Sequence, residues 1–454
     1  MVKLTEQNRE EYELAVVKTL QDEDLESFRE LFFDLHIMDQ LDIYINIGKD
    51  QRKSLYHYIS PEEFAEIFEE LEFEQQKLYM KELSTDYARD VINNMSDDDI
   101  ADFLGEMDET ESNKIIETLD KEDQADIKEL LSYEEETAGG IMTKEFISLH
   151  ANDRIEDVIN LLREEGPDAE TIYYLYVANE KDQLVGVVSL RDLITADAHR
   201  KVEEVMSTRV VSVKTSDDQE DVARLFQKYD FLAVPVITDD DLLVGIITFD
   251  DILDVIEEEA SEDLDEFAAS RGSTDMKITP FAAAKLRAPW IILLMFIGMV
   301  SANIIGQFEE TLEAAVLLAG FIPMIMGSAG NAGTQSLAVA VRSIAVGSSE
   351  KKGLGKLVFR ELSTGFLLGI ICAIVLIIII PIMYSGNFML AVVVGTSLTL
   401  SLTLATIIGT LIPMFIHKLN LDPAIASGPF ITTINDIVGL LIYFSVATSL
   451  LAYL

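Results

Sequence analysis

Hydrophobic residues follow three different rhythms along this chain. Up to about residue 132, Leu, Ile and Phe recur at helical spacing among many acids, without strand-like alternation. From 133 to 256, β-rich runs (IYYLYV and LVGVVS, then LAVPVI and LVGIIT) are separated by amphipathic stretches. Beyond residue 280, apolar runs are long enough to cross a bilayer, and five spans are predicted at about 288–308, 312–340, 359–384, 388–416 and 424–453. The fold class is therefore multi-domain. An all-α acidic N-terminal helical domain (1–132) precedes an α+β tandem pair (133–256). An acidic connecting helix (257–279) and a five-span α-helical membrane domain (280–454) follow.

In the first region a short unit repeats: ISPEEFAEIFEEL from Ile59, MSDDDIADFLGEM from Met95 and LDKEDQADIKELL from Leu119. Each has a cap residue (Ser60, Ser96, Asp120), then acids in the first turn, then an apolar face. Ser60-Pro61-Glu62-Glu63 fits a capping box with proline at the first helical position. Small helical hairpins are expected.

The second region is two copies of one unit. IMTKEFISLHANDRIEDVINLL from Ile141 matches VMSTRVVSVKTSDDQEDVARLF from Val205, and LVGVVSLRDLI from Leu184 matches LVGIITFDDIL from Leu243. Each copy reads strand, helix, strand, strand, helix, with extra chain in the first around Gly166 to Thr171. Gly186, Ser189 and Asp192, then Gly245, Thr248 and Asp251, repeat one signature. This pattern resembles a tandem pair of CBS domains (about 133–203 and 204–256). In nucleotide-binding CBS pairs the hydroxyl and Asp meet ribose or phosphate, so the resemblance implies ATP as a candidate regulatory ligand. Tyr174 for stacking, Ser189, Arg191 and Asp192 are the residues implied; a pair serving only as a dimerisation disc is the alternative. Neither copy holds a nucleophile–base pair, so no enzyme activity is expected.

Charge sharpens the division. Of 80 acids and 34 basic residues, the part after Met276 holds seven and nine, so the whole acidic excess lies before it. Such a surface repels nucleic acid and attracts cations. Cys372 is the single cysteine, which excludes a disulfide framework. The start, MVKLTEQNREEYE, lacks the apolar core of a signal peptide, and the N-terminal domains are expected to be cytoplasmic. The connector crowds Glu257, Glu258, Glu259, Glu262, Asp263, Asp265 and Glu266 on one helix, a solvated linker or a switch.

Basic residues flank the spans on one side. Lys277, Lys285 and Arg287 precede the first, and Arg342, Lys351, Lys352, Lys356 and Arg360 fill the loop after the second. The positive-inside rule then gives a multi-pass protein of the plasma membrane with its C-terminus outside. The second span carries FIPMIMGSAGNAGTQS, whose small residues permit close helix approach and whose Asn331, Thr334 and Gln335 supply polar groups. The fifth carries PFITTINDIVG, with Asp436 near its middle. A charge at that depth costs several kcal/mol, so such residues usually line a wet path. A carboxylate solvated at the interface is the plainer alternative, as tight helix packing alone is for the second span.

Together, YEEETAGGIMT (Tyr133 to Thr143), DDILDVIEEEASED (Asp250 to Asp263), GNAGTQS (Gly330 to Ser336) and PFITTINDIVG (Pro429 to Gly439) resemble the MgtE family of magnesium channels and transporters. The resemblance covers essentially the full chain. It implies a homodimer in lipid, with a pore between second and fifth spans of both subunits. Asp436 would be its central metal-site carboxylate, and Gly330, Asn331, Gly333, Thr334, Gln335, Thr432, Thr433 and Asn435 would line it. It also implies closure by intracellular Mg²⁺ at Glu63, Asp99, Glu220, Asp230, Asp251, Asp254, Glu259, Glu262 and Asp263. The alternative function is a CBS-regulated secondary transporter of another divalent cation or solute, coupled to protons through Asp436. The five histidines give no HExxH pair for an intramembrane metalloprotease.

Overall fold

Ser60 closes the first turn of the helix Pro61–Glu69 as its sequence predicts. Its hydroxyl accepts from the Glu63 N–H at 3.2 Å, and the Glu63 carboxylate accepts from the Ser60 N–H at 2.9 Å. The other two repeat units become the helices Asp97–Gly105 and Asp123–Leu130. The computed structural model describes residues 4–5, 8–119, 123–270, 278–345, 351–384, 387–419, 421–423 and 426–453. Asp120 and Lys277, invoked above as a cap and a flanking charge, lie outside the described residues. The chain divides into two units, residues 1–256 and 257–454.

The first unit begins with short helices, from Arg9–Gln21 to Asp123–Leu130. Phe28, Phe32, Tyr44, Phe64 and Phe68 are fully buried at its centre, each contributing about 1.5–3 kcal/mol of burial. Arg52 is buried among them; it pairs with Glu82 at 3.1 Å and donates to the Ile47 carbonyl at 2.6 Å.

The tandem region folds as two three-stranded sheets. In the first, β1 (Ser148–His150) runs parallel to β2 (Tyr174–Ala178), which pairs antiparallel with β3 (Leu184–Ser189). The second repeats this with β4 (Val213–Lys214), β5 (Ala233–Ile237) and β6 (Leu243–Thr248). The registers match, Val177 opposite Gly186 and Val236 opposite Gly245. The two copies are interlocked. Thr143, which opens the first copy, bridges to Ile246 of the second, while Ser207, which opens the second, bridges to Val187 of the first. The preceding methionines explain the glycines: a Cβ on Gly245 would lie 2.7 Å from Met142 Sδ, and one on Gly186 2.6 Å from Met206 Sδ. The extra chain of the first copy holds a single 3₁₀ turn, Gly166–Asp168.

The connector helix, Phe249–Ala268, starts in the first unit and ends in the second. Five helices long and apolar enough to cross a membrane follow: Pro280–Gln307, Val316–Ile344, Gly355–Met383, Phe388–Lys418 and Gly428–Ser449. The first begins eight residues before the predicted span, capped by Thr279. Hydropathy marks the hydrocarbon segment, whereas the helix continues through Lys285 and Arg287 into the interface. The second opens with a 3₁₀ segment, Val316–Phe321, and becomes α-helical at Ile322, with Pro323 in its first turn where a missing N–H costs nothing.

The fourth span is the most enclosed and packs against the second, third and fifth. Its approach to the second is set by Gly409, where a Cβ would stand 2.2 Å from the Gly333 carbonyl oxygen. A Cβ on Gly333 would in turn stand 1.9 Å from Asn435 Nδ2 of the fifth span. Gly333→Ala is therefore expected to destabilise the bundle by about 1–3 kcal/mol, the usual cost of overpacking. The thermal midpoint of the purified full-length protein reads this directly, and an unchanged midpoint would contradict the close approach.

Candidate ion path and acidic face

Asp436 lies two turns into the fifth span. It is partly buried, and its Oδ1 has no hydrogen-bond partner among the described residues. What faces it is absence of bulk: a Cβ on Gly330 of the second span would lie 3.4 Å from Asp436 Oδ1 and 2.6 Å from Thr432 Cγ2. Beside it the Thr334 and Thr432 hydroxyl oxygens are 3.1 Å apart, and Thr334 donates to the Gly330 carbonyl at 3.1 Å. Thr433 donates to the Pro429 carbonyl at 2.8 Å. A cavity of about 830 Å³ opens next to these groups, lined by Asn331, Thr334, Gln335, Thr432 and Thr433, with Phe267 and Ala268 of the connector helix at its wall.

Two expected lining residues sit elsewhere. Asn435 is 1% exposed, turned against Gly333, with both amide atoms unpaired. Gly333 is enclosed between the fourth and fifth spans. A helix advances about 100° per residue, so Asn435 and Asp436 cannot present the same face.

In the first unit, acids from separate stretches converge. Ser96 N–H donates to Glu69 at 2.8 Å, Asp97 N–H to Glu145 at 3.3 Å, and Ser96 Oγ to Asp99 at 2.6 Å. Thr248 holds Asp251 through its hydroxyl at 2.5 Å and its N–H at 3.2 Å. Burial first, and neighbouring carboxylates second, raise the pKa of Glu69 to about 8 and those of Glu145 and Glu170 to about 7. Asp97, Asp98 and Asp251 are pushed up to about 6, with burial again the largest cause. Asp99 is raised by burial and by Asp251, Glu70 and Asp254. Asp98 Oδ1 is buried with no donor among the described residues, although Ser96 and the backbone of Asp98 and Asp99 hydrogen-bond to the carboxyl. Among the described residues no three of these carboxylates are gathered closely enough to hold a metal ion; burial and mutual repulsion favour their protonated forms.

The structure brings together Asp99, Asp251 and Asp254 of the expected regulatory set, and not the others. Glu63 is taken up by Arg29 at 2.5 Å and by its own helix cap, and its pKa is lowered by that ion pair. Glu220 pairs with Arg224, and Asp230 is an exposed left-handed cap after Gln219–Tyr229. Glu259, Glu262 and Asp263 stand further along the connector helix in the second unit. There Glu262 and Asp263 raise the pKa of Glu266, which is held up chiefly by burial and by a hydrogen bond with Asp422. Glu69, Glu145, Glu170 and the Glu266–Asp422 pair were not singled out from the sequence, where Asp97 and Asp98 read only as first-turn acids of their helix.

Tyr174, Ser189, Arg191 and Asp192 all line one cavity of about 710 Å³, joined by Tyr173 and Thr195. Ser189 Oγ donates to Asp192 at 2.6 Å and accepts its N–H at 3.1 Å, capping Leu190–Thr195. Thr248 and Asp251 repeat this motif in the second copy, where the carboxylate joins the acidic face instead.

Family models match three parts of the chain: an MgtE intracellular N domain over residues 35–136, CBS domains over 138–199 and 202–258, and a divalent cation transporter, MgtE, over 322–446. The magnesium transporter MgtE of Enterococcus faecalis is 45% identical, covering 98% of this chain and 99% of its own length. The chain belongs to the MgtE family. The MgtE of Bacillus subtilis is 41% identical over 96% of both chains. Among solved structures, the soluble part of a magnesium transporter matches at 44% identity and a TM-score of 0.54, covering 56% of this chain and 99% of that one. The cytosolic domain of the Mg²⁺ channel MgtE in complex with ATP matches at 38% and 0.51, covering 54% and 99%. MgtE proteins are transporters or channels, so the chain is a multi-pass membrane protein with an intracellular N-terminal domain, and not an enzyme.

The raised acids set a sign for pH dependence. A carboxyl whose folded pKa lies above its unfolded value stabilises the docked arrangement at low pH and loses that contribution as pH rises through the folded pKa. Without divalent cations, amide protection of the helix Asp97–Gly105 in the full chain is expected to fall several-fold between pH 6 and 8. Added divalent cation should restore it at pH 8. Hydrogen exchange measures both, and protection independent of pH and cation would refute the acidic face as a cation site.

Proposed function

We propose that the chain is a magnesium-selective channel or transporter, a homodimer whose ion path runs between the second and fifth spans of both copies. The observation that carries this reading is a membrane-depth carboxylate, Asp436, whose Oδ1 is unpaired among the described residues and faces Gly330, one turn from Thr432 of the cavity lining. Mg²⁺ gives up its water reluctantly and is usually held by few carboxylates plus water. Two Asp436 side chains, one from each copy, would supply that charge. Dimerisation is supported by the face that carries Asn331, Gln335 and Ala338, which is polar or small and exposed in the single chain. The third span, by contrast, exposes Ile371, Ile374 and Ile378, a surface suited to lipid.

Closure follows from the acidic face. Intracellular Mg²⁺ bound among Asp99, Asp251, Asp254 and their neighbours would neutralise groups that otherwise repel, and would order the start of the connector helix. The end of that helix carries Phe267, at the wall of the cavity beside the path. Glu259, Glu262 and Asp263 would bind further ions along it. ATP would occupy the Tyr174–Asp192 cavity and tune this response. The C-terminus is outside on this reading, as the basic flanks require.

Reconstituted vesicles test the pore. Asp436→Ala should abolish Mg²⁺ uptake while leaving the folded dimer intact; uptake within two-fold of wild type would remove Asp436 from the path. Unitary Mg²⁺ currents would set a channel apart from proton-coupled exchange of another ion. Asp192→Asn should weaken ATP binding about ten-fold, roughly 1.4 kcal/mol, by calorimetry. Unchanged affinity would move the nucleotide elsewhere.

A further inference from the structure

Glu361 is a second acid within the membrane bundle, and the ion path does not use it. It lies near the start of the third span, is 5% exposed, and is fully engaged. Its Oε2 accepts from Ser336 Oγ of the second span at 2.8 Å. Its Oε1 accepts from Arg360 Nε at 3.1 Å, and its main-chain carbonyl accepts from Thr406 Oγ1 of the fourth span at 3.0 Å. One residue thus ties three spans together, and with both oxygens donated to it is no free ligand for a passing ion.

Its partner is the informative part. Ser336 is 2% exposed and lies next to Gln335, which is exposed and lines the cavity. The two residues occupy different sides of one helix, so whatever fixes Ser336 also fixes which residues face the cavity. Ile325 and Leu337 of the same span are fully buried and also bear on its orientation, but between them the span presents Gly330 and Gly333 to its neighbours, so a directional contact at Ser336 adds to what packing fixes. A hydroxyl held by a carboxylate is short, directional and stronger than a neutral pair. Buried charges have their best-attested role in setting register.

We infer that Glu361 is a positioning residue. Through Ser336 it sets the rotation of the second span about its axis, and so holds Asn331, Thr334 and Gln335 toward the path. This rests on the pore assignment proposed above, and the test therefore includes a readout independent of flux.

In full-length protein carrying Cys372→Ser, a single reporter is introduced either at the exposed face, Gln335→Cys, or at the buried face, Ala332→Cys, and labelled with a water-soluble maleimide in vesicles. Ala332 is 5% exposed. With Glu361 intact, labelling at 335 is expected to exceed that at 332 at least ten-fold. Glu361→Gln and Ser336→Ala, which keep nearly the same shape, should each cut this ratio at least three-fold, and Glu361→Asp should recover part of it. Mg²⁺ flux, measured without the reporters, should drop at least five-fold in Glu361→Gln, and adding Ser336→Ala should lower it no further. An unchanged labelling ratio in both variants overturns the inference, whatever happens to flux, because loss of flux alone is also what general destabilisation gives. Additive flux losses in the double variant overturn it too. Should the intact protein carry no Mg²⁺ at all, the pore assignment fails while the labelling ratio still decides the role of Glu361.

Discussion

A carboxylate oxygen buried at membrane depth without a donor is the constraint from which the membrane unit is most easily understood. Such a group is tolerated only beside water, a cation or a pairing partner. Among the described residues the bundle supplies no basic side chain for Asp436 and instead clears space around it. Gly330 removes the side chain that would crowd the carboxylate, and the Thr334 and Thr432 hydroxyls pair with each other nearby. Space at the carboxylate and close packing therefore have one cause: a helix stripped of bulk where it faces Asp436.

That stripping has a consequence. Gly333 and Gly409 let backbones meet almost directly at that level, while Ile325, Leu398, Leu402, Leu440, Tyr443 and Phe444 of the same spans pack together elsewhere in the core. Apolar burial gives no net drive between helices in lipid, which leaves close contact and interhelical hydrogen bonds to specify the arrangement. Ser336 with Glu361, Thr406 with the Glu361 carbonyl, and Tyr443 with the Leu318 carbonyl are contacts of that kind.

The first unit meets the opposite problem. There the acids are brought toward each other, and burial holds several of them in a pH range where they take up protons. The same Ser/Thr-x-x-Asp cap serves two ends, opening on a cavity in one CBS copy and joining the acidic face in the other.

Much of this was legible in the residue order. The domain sequence, the strand, helix, strand, strand, helix order of both CBS copies, the five spans and Asp436 follow from periodicity, an internal repeat and one charge in an apolar run. These are local patterns, written within a few turns or strands. The interlock of the CBS copies, the orientation of Asn435 away from the path, and the company of Asp99 and Asp251 were not legible. Each depends on which distant segments meet. Glu69, Asp97, Glu145 and Glu170 come from separate stretches and carry no shared motif, while Glu63 and Glu220 look equally acidic yet pair with Arg29 and Arg224. Residue type and spacing determined which elements form and where a charge must be explained; the tertiary packing decided which charges face one another, because that is a property of neighbours the chain places far apart.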